Sequence, residues 1–300
     1  MAASPWLRAM PAIFVVIWST GFVVAKFGLP FAPPLTFLAI RYALSIACFL
    51  VWVRLAGAAW PQEPRQWLHL GVTGTLMHAG YLGGVWVAVK AGMGSGLVAL
   101  IVGLQPVLTA VWVTRMQGDG QAVSRVQWLG LLLGLSGLLL VVWRKLGVGA
   151  EVNSLTLAAA VFALLSITAG TLYQKKYVKP ADVRTANAIQ LMAALAVTWP
   201  LTGLESEVIA WNASFISAMA WSVLVLTLGG SSLLYLLIQR GAATAVTSLL
   251  YLVPPTTALM AWLLFKESVT AATWLGTAIT AVGVALVVRP ARPKGIGRGA

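Results

Sequence analysis

The sequence predicts an all-α integral membrane protein of ten transmembrane helices, built as two inverted five-helix repeats with the N- and C-termini cytoplasmic. Three observations predict it: a composition too apolar for water, apolar runs of helix rather than strand length, and a second half that repeats the first with its basic residues moved to the other side.

Of 300 residues, 60% are hydrophobic and 9% charged, and the mean hydropathy is +0.90. Soluble domains carry about 25% charged residues, so this chain cannot cover itself with a water-loving surface. A bilayer core takes about 20 apolar residues per helix, and ten helices use roughly two-thirds of such a chain. The apolar runs are also too long for barrel strands, which would alternate in pieces of about ten residues. The net charge of +13 would suggest nucleic acid for a soluble protein. Here the basic residues stand at helix ends and in short loops, where they orient helices, and no nucleic-acid partner is expected. Cys48 is the single cysteine, so no intramolecular disulfide can form. The apolar run from Met10 into Phe22 has no small-residue cleavage site and is expected to remain as the first helix.

Hydropathy and turn signals place spans at 10–26, 36–54, 67–89, 95–115, 126–143, 153–174, 184–203, 215–238, 242–265 and 271–288. Breakers punctuate the connections: Pro30, Pro33, Pro34, Pro61, Pro64, Gly118, Gly120, Gly147, Gly149 and Pro180. Residues 1–145 form the first repeat, 146–289 the second, and 290–300 a basic, Gly-rich tail expected to be disordered.

The repeat is visible residue by residue. A shift of 146 lays Trp128-Leu129-Gly130 on Trp274-Leu275-Gly276, Gly137 on Gly283 and Leu140-Val141-Val142 on Leu286-Val287-Val288, seven coincidences in fifteen positions. A shift of 149 aligns Gly80 with Gly229, Trp86 with Tyr235, Gly92 with Gly241 and Pro106 with Pro255. Five helices is an odd number, so the second copy must enter the membrane upside down. The charges agree. The connection after the first helix holds Lys26, and its counterpart after the sixth holds Lys175, Lys176, Lys179 and Arg184. The connection after the second holds Arg54 and Arg65, and its counterpart after the seventh has Glu205 and Glu207 with no basic residue. Fourteen basic residues then face the cytoplasm against five outside, and Arg41 alone falls inside a span.

Trp18 through Lys26, Arg41 early in the second helix, and Lys266-Glu267 followed by Trp274-Leu275-Gly276 resemble the drug/metabolite transporter superfamily in its ten-helix EamA-type branch. The likeness covers the whole chain through both repeats, and within the branch it is greatest to the YddG-type exporters of aromatic amino acids. The first copy departs from the pattern, with Gly118-Asp119 where the second has Lys266-Glu267. The resemblance implies export of small organic molecules through a central cavity between the halves of an inner-membrane protein.

Polar groups inside a span are costly and mark candidate sites. All seven acidic residues fall in loops or at helix ends, leaving no buried carboxylate to titrate. Facilitated transport of aromatic or apolar amino acids is therefore expected, the alternative being a proton-coupled exporter that uses His78, the one histidine deep in a span. His78 and Tyr81 share a helix face, Ser232 and Tyr235 cluster in the eighth helix, and Tyr251 lies in the ninth. With Trp18, Ser19, Trp86, Gln105 and Tyr173 these are the candidate substrate-binding residues, able to stack a flat apolar ligand and bond its polar end. Each has a plainer reading as interhelical packing or, for a lone histidine, a structural hydrogen bond. Pro106, Pro254 and Pro255 interrupt the fourth and ninth helices at equivalent depths and are candidate hinges or static kinks. Polar side chains are expected to concentrate on helices one, three, four, six, eight and nine, leaving five and ten peripheral. Trp6, Trp60, Trp67, Trp143, Trp199, Trp211 and Trp274 near span ends read as interfacial anchors. No cofactor or metal is called for, and the partners expected are a small-molecule substrate and the lipid bilayer, around a monomer. An integral-membrane enzyme would need an acidic metal cluster or a nucleophile with its base, which the spans lack. A solute channel stays open as a third reading, separable by saturable kinetics.

Overall fold

The structure, a computed structural model, describes residues 5–116, 125–145, 152–239, 252–266 and 270–288. Among them every regular element is helical. Helix α1 is Pro5–Gly28 and α2 is Pro34–Leu55. Helix α3 occupies 64–90 and changes pitch midway: α-helical Pro64–Gly74 runs into a π segment, Thr75–Gly80, and then α-helical Tyr81–Lys90. Helix α4 is Ser95–Val102 joined to Gln105–Met116 through a turn at Gly103. Then come α5, Arg125–Lys145, α6, Ser154–Tyr177, and α7, Val183–Leu201. Helix α8, 213–239, again changes pitch: Ala213–Trp221, a π segment Ser222–Ser231, and Ser232–Gln239. Helices α9, Val253–Phe265, and α10, Ala271–Val288, close the described chain.

Two of the prolines read as breakers start helices. Pro34 and Pro64 occupy the first turns of α2 and α3, where the missing N–H costs nothing and the fixed φ is already helical. Side chains do the same work in the second half. The Asn153 side chain accepts from Thr156 N at 2.9 Å, Asp182 from Arg184 N at 2.9 Å and Asn212 from Phe215 N at 2.9 Å. Neither π segment was legible beforehand, since hydropathy reads 67–89 and 215–238 as plain helices.

Among the described residues five stretches are long and apolar enough to cross a membrane, Ala12–Phe31, Pro34–Leu55, Ser154–Tyr177, Val183–Leu204 and Ala213–Leu236; Ser95–Thr109, Trp128–Trp143, Val253–Phe265 and Ala271–Leu286 are shorter apolar helices. The exterior is apolar and the interior carries the polar groups. Leu132, Leu139, Trp143, Trp199, Trp211 and Leu263 are exposed, while Ser19, Thr73, Asn187, Gln190 and Thr257 are buried. Such an apolar exterior suits lipid and would aggregate in water.

Helices α5 and α10 pack almost face to face through glycine. A Cβ on Gly137 would reach the Gly276 carbonyl oxygen at 2.5 Å, and one on Gly283 would strike the Gly134 backbone. Trp128 and Trp274 on this pair point outward, as expected of peripheral helices. Helix α2 packs on α7, α4 on α9, and α3 lies against both α6 and α7.

Two polar clasps tie the ends of this bundle. At one, the Glu205 carboxylate accepts from Leu35 N at 2.8 Å, Thr36 N at 2.8 Å and the Thr36 hydroxyl at 2.7 Å, so the α7–α8 connection caps α2. Lys90 Nζ adds a 2.5 Å pair with Glu207 and donates to the Leu29 carbonyl at 3.0 Å. At the other, Gln66 exchanges two hydrogen bonds with the Lys179 backbone, at 2.7 and 3.2 Å, and Lys179 pairs with Glu63 at 2.7 Å. There the Glu63 carboxyl is held below its ordinary range by the Lys179 ammonium. Carboxylate bonds to helix N–H groups are charge-assisted and lie on the positive end of the helix dipole. Glu205→Ala is therefore expected to cost about 2 kcal/mol, read as a lowered unfolding temperature in detergent. Glu207→Ala, which removes only an exposed pair, should move it by less than half as much.

Candidate functional site

An internal cavity opens where α1, α2, α3, α6, α7 and α8 converge. Its walls come from helix periodicity. On α3, His78, Tyr81, Leu82 and Val85 recur at the spacing of one face, with Met77 and Trp86 at its edges. Helix α1 brings Trp18, Gly21 and Phe22, and α8 brings Leu226, Ser231, Leu234 and Tyr235. The polar floor is Arg41 from α2, Gln174 from α6, and Asn187 and Gln190 from α7. One wall is aromatic and preorganised: Trp18 and Tyr81 lie nearly parallel, 5° apart with ring centroids at 6.4 Å, and Phe14 backs Trp18 at 5.2 Å. Trp86 is held by Phe37, whose ring centroid is 4.3 Å away.

Adjacent residues of α2 pin both π segments. The Tyr42 hydroxyl donates to the His78 carbonyl at 2.9 Å, within the π segment of α3. The Arg41 Nε donates at 3.0 Å to the Thr227 hydroxyl, within the π segment of α8, and Thr227 in turn donates to the Ser222 carbonyl five residues back at 2.8 Å. A π turn disturbs the regular i to i−4 ladder and leaves backbone acceptors to be satisfied from outside, which is why such turns gather at functional sites. Across the cavity Gln190 and His78 line the same space, and among the described residues the Gln190 Nε2 has no hydrogen-bond partner. Thr227 follows His78 by 149 positions and Gln190 follows Arg41 by 149, the offset found in the sequence. The two pairs of positions therefore share the offset on which the expected repeat rests.

The sequence profile of the EamA-like transporter family matches residues 9–143 and again 154–289. This chain belongs to that family. Relatives at low identity span nearly its full length. An inner-membrane transporter of Escherichia coli K12, YedA, is 25% identical over 299 residues, covering 96% of this chain and 94% of its own. A protein of the same strain named a probable amino-acid metabolite efflux pump is 25% identical and covers 91% of each chain. A solved crystal structure superposes with a TM-score of 0.68 over 93% of this chain and 95% of its own at 16% identity, which shows the fold.

This EamA-like transporter is a multi-pass inner-membrane protein. Of its expected site residues, Trp18, His78, Tyr81, Trp86 and Tyr235 line the cavity. Four lie elsewhere. Ser19 follows Trp18 by one residue and so turns away, bonding the Val15 carbonyl at 2.7 Å. Gln105 donates to Thr171 on α6 at 2.9 Å. Tyr173 bonds His69 at 2.9 Å and packs on Tyr177, one residue short of the lining Gln174. Ser232 is buried beside the lining Ser231, and its hydroxyl has no partner among the described residues. Tyr251 and Glu267 lie outside the described residues. Pro106 stands in the first turn of the second half of α4, and Pro254 and Pro255 in the first turns of α9; the missing N–H groups fall where no helical bond is due. The two breaks meet, because a Cβ on Gly103 would lie 2.6 Å from Pro254 Cγ.

The EamA-like cavity also differs from expectation in its helices. Among the described residues α4 and α9 contribute none of the lining, while α2 and α7 supply Arg41, Asn187 and Gln190. A signal for them existed: Asn187 and Gln190 fall three apart in an apolar run, and amides in a span are costly in the same way as charges.

Proposed function

We propose that this protein exports small organic metabolites with a flat apolar part, aromatic or other apolar amino acids first among them, by alternating access and without an obligatory proton. One observation carries the reading: a cavity with stacked aromatic walls and a polar floor lies at the junction of the two family-matched stretches. Stacking holds a planar group, and buried amides and a guanidinium hold a polar head. The efflux-pump relative supports metabolites as cargo, and the aromatic walls favour the YddG-type branch. In this reading ten helices cross the bilayer, the halves are inverted, both chain ends are cytoplasmic, and the chain acts as a monomer. The 149-residue offset between Arg41–Thr227 and Gln190–His78 supports that inversion. Trp18, His78, Tyr81, Trp86 and Tyr235 would contact substrate, and the meeting of Gly103 with Pro254 would be a hinge between α4 and α9.

A second reading, proton-coupled export, is favoured by His78 lining the cavity. Reconstitution decides between them: labelled phenylalanine and other metabolites are loaded into proteoliposomes with and without a proton gradient. Saturable counterflow that ignores the gradient is expected. Gradient-driven accumulation that His78→Ala abolishes would establish the second reading, and flux without saturation would indicate a channel. For topology, single cysteines at Glu205 and Lys176, in a Cys48→Ser background, should label from opposite sides; labelling from one side would refute the inverted halves.

A further inference from the structure

We infer that Arg41 is the anion anchor of this cavity, so that the substrates it selects are apolar or aromatic monocarboxylates in which the amino group is dispensable. The inference rests on the transport reading above and names the chemistry of its cargo. Arg41 is 5% exposed, and what remains open of it faces the cavity. A guanidinium stays protonated and carries five N–H donors. One of them goes to Thr227, and no described group accepts from the two terminal nitrogens. Thr227 is neutral and donates its own proton to Ser222, so it orients Arg41 without compensating its charge.

No protein carboxylate fills that role among the described residues. Glu63 is paired with Lys179, Asp182 with Arg184, Glu207 with Lys90, and Glu205 caps α2, all in the connections. A buried cation without a counter-ion is among the most expensive groups a membrane protein can hold. The counterpart position has the neutral amide of Gln190, so the architecture itself does not require a charge there. Gln190 adds a second pointer: it is 4% exposed, lines the same cavity, and its Nε2 donor has no partner among the described residues. Two buried donor groups with free N–H bonds match the two oxygens of one carboxylate, the planar acceptor a guanidinium prefers. Nothing comparable awaits an ammonium among the described residues, whose share of the cavity lining contains no acid.

The test compares three probes of one shape on the purified protein in detergent: 3-phenylpropionate, L-phenylalanine and 2-phenylethylamine. Binding is read by calorimetry and by protection against thermal unfolding. The two carboxylates should bind within about threefold of one another, and the amine roughly 100-fold more weakly, the worth of charge-assisted hydrogen bonds to one head group. Arg41→Gln should bring the carboxylates down to the level of the amine, and Arg41→Lys should recover part of the preference. Equal binding of 2-phenylethylamine to the wild type overturns the inference and leaves the transport reading standing. An Arg41→Gln protein that folds and keeps the preference overturns the assignment to Arg41. Failure of all three probes to bind removes the aromatic-substrate reading and this inference with it. Should Arg41→Gln not fold, the wild-type comparison together with Arg41→Lys still decides.

Discussion

Gly74→Ala should leave little folded protein in the membrane. The added methyl would enter the backbone of α7, with Gln190 Cα and carbonyl carbon at 2.5 Å and its carbonyl oxygen nearer still. Two helix backbones meet there, and neither can swing aside as a side-chain tip could. Overpacking of an ordinary core costs about 1–3 kcal/mol through side-chain adjustment. Here relief requires moving α3 from α7, which also carries Gln190 out of the cavity. Against a typical stability of about 5–15 kcal/mol, a displacement of this kind removes a large share. Gly71→Ala, one turn earlier on α3, provides the control: its Cβ would meet only Ala193 Cβ at an ordinary 3.6 Å. Size-exclusion profiles of fluorescently tagged protein in mild detergent check both. A Gly74→Ala variant that elutes at the wild-type position and amount would mean that α3 and α7 are further apart than described.

That contact shows where sequence reading stops. Helix existence was legible, because long apolar runs have few other solutions in lipid, and glycine, proline and tryptophan recurring at fixed offsets are the ground on which the internal repeat is proposed. Pitch was not. The π segments at Thr75–Gly80 and Ser222–Ser231 lie in runs whose apolar content is the same for either helix type. They rotate every later side chain relative to the earlier ones, and so decide which of two neighbours faces the cavity. This separates Ser231, which lines it, from Ser232, which does not. The same one-residue discrimination separates Trp18 from Ser19 and Gln174 from Tyr173. Each pair offers residue types suited to a site, and helix rotation, which arises from packing between helices, decides which of the two lines the cavity. Arg41 was recognised as the lone basic residue within a span, yet its meaning depended on what surrounds it. Only the placement of Thr227, Tyr81 and His78 around it, with every described carboxylate engaged elsewhere, makes it part of the cavity floor.

Trp18→Ala and Tyr81→Ala should each lower transport by about 100-fold while folded protein reaches the membrane in near wild-type amount. The two rings form one wall, parallel within 5°, so removing either takes away half of the surface on which a flat ligand rests. Lost burial and lost stacking together come to roughly 2–3 kcal/mol, and each 1.4 kcal/mol is a factor of ten in kcat/KM. Folding should suffer less than at a filled core position, because these faces border a cavity and leave fewer packed neighbours behind. The conservative changes separate the contributions. Tyr81→Phe keeps the ring and loses one hydroxyl, so it should retain transport to within about tenfold, the range of a single hydrogen bond. Trp18→Phe keeps a smaller ring and should fall between. Uptake of labelled phenylalanine into inverted membrane vesicles, normalised to folded protein by size exclusion, gives the numbers. Transport unchanged in both alanine variants would mean that the substrate does not rest on the Trp18–Tyr81 wall, and the aromatic reading of the cavity would then be wrong.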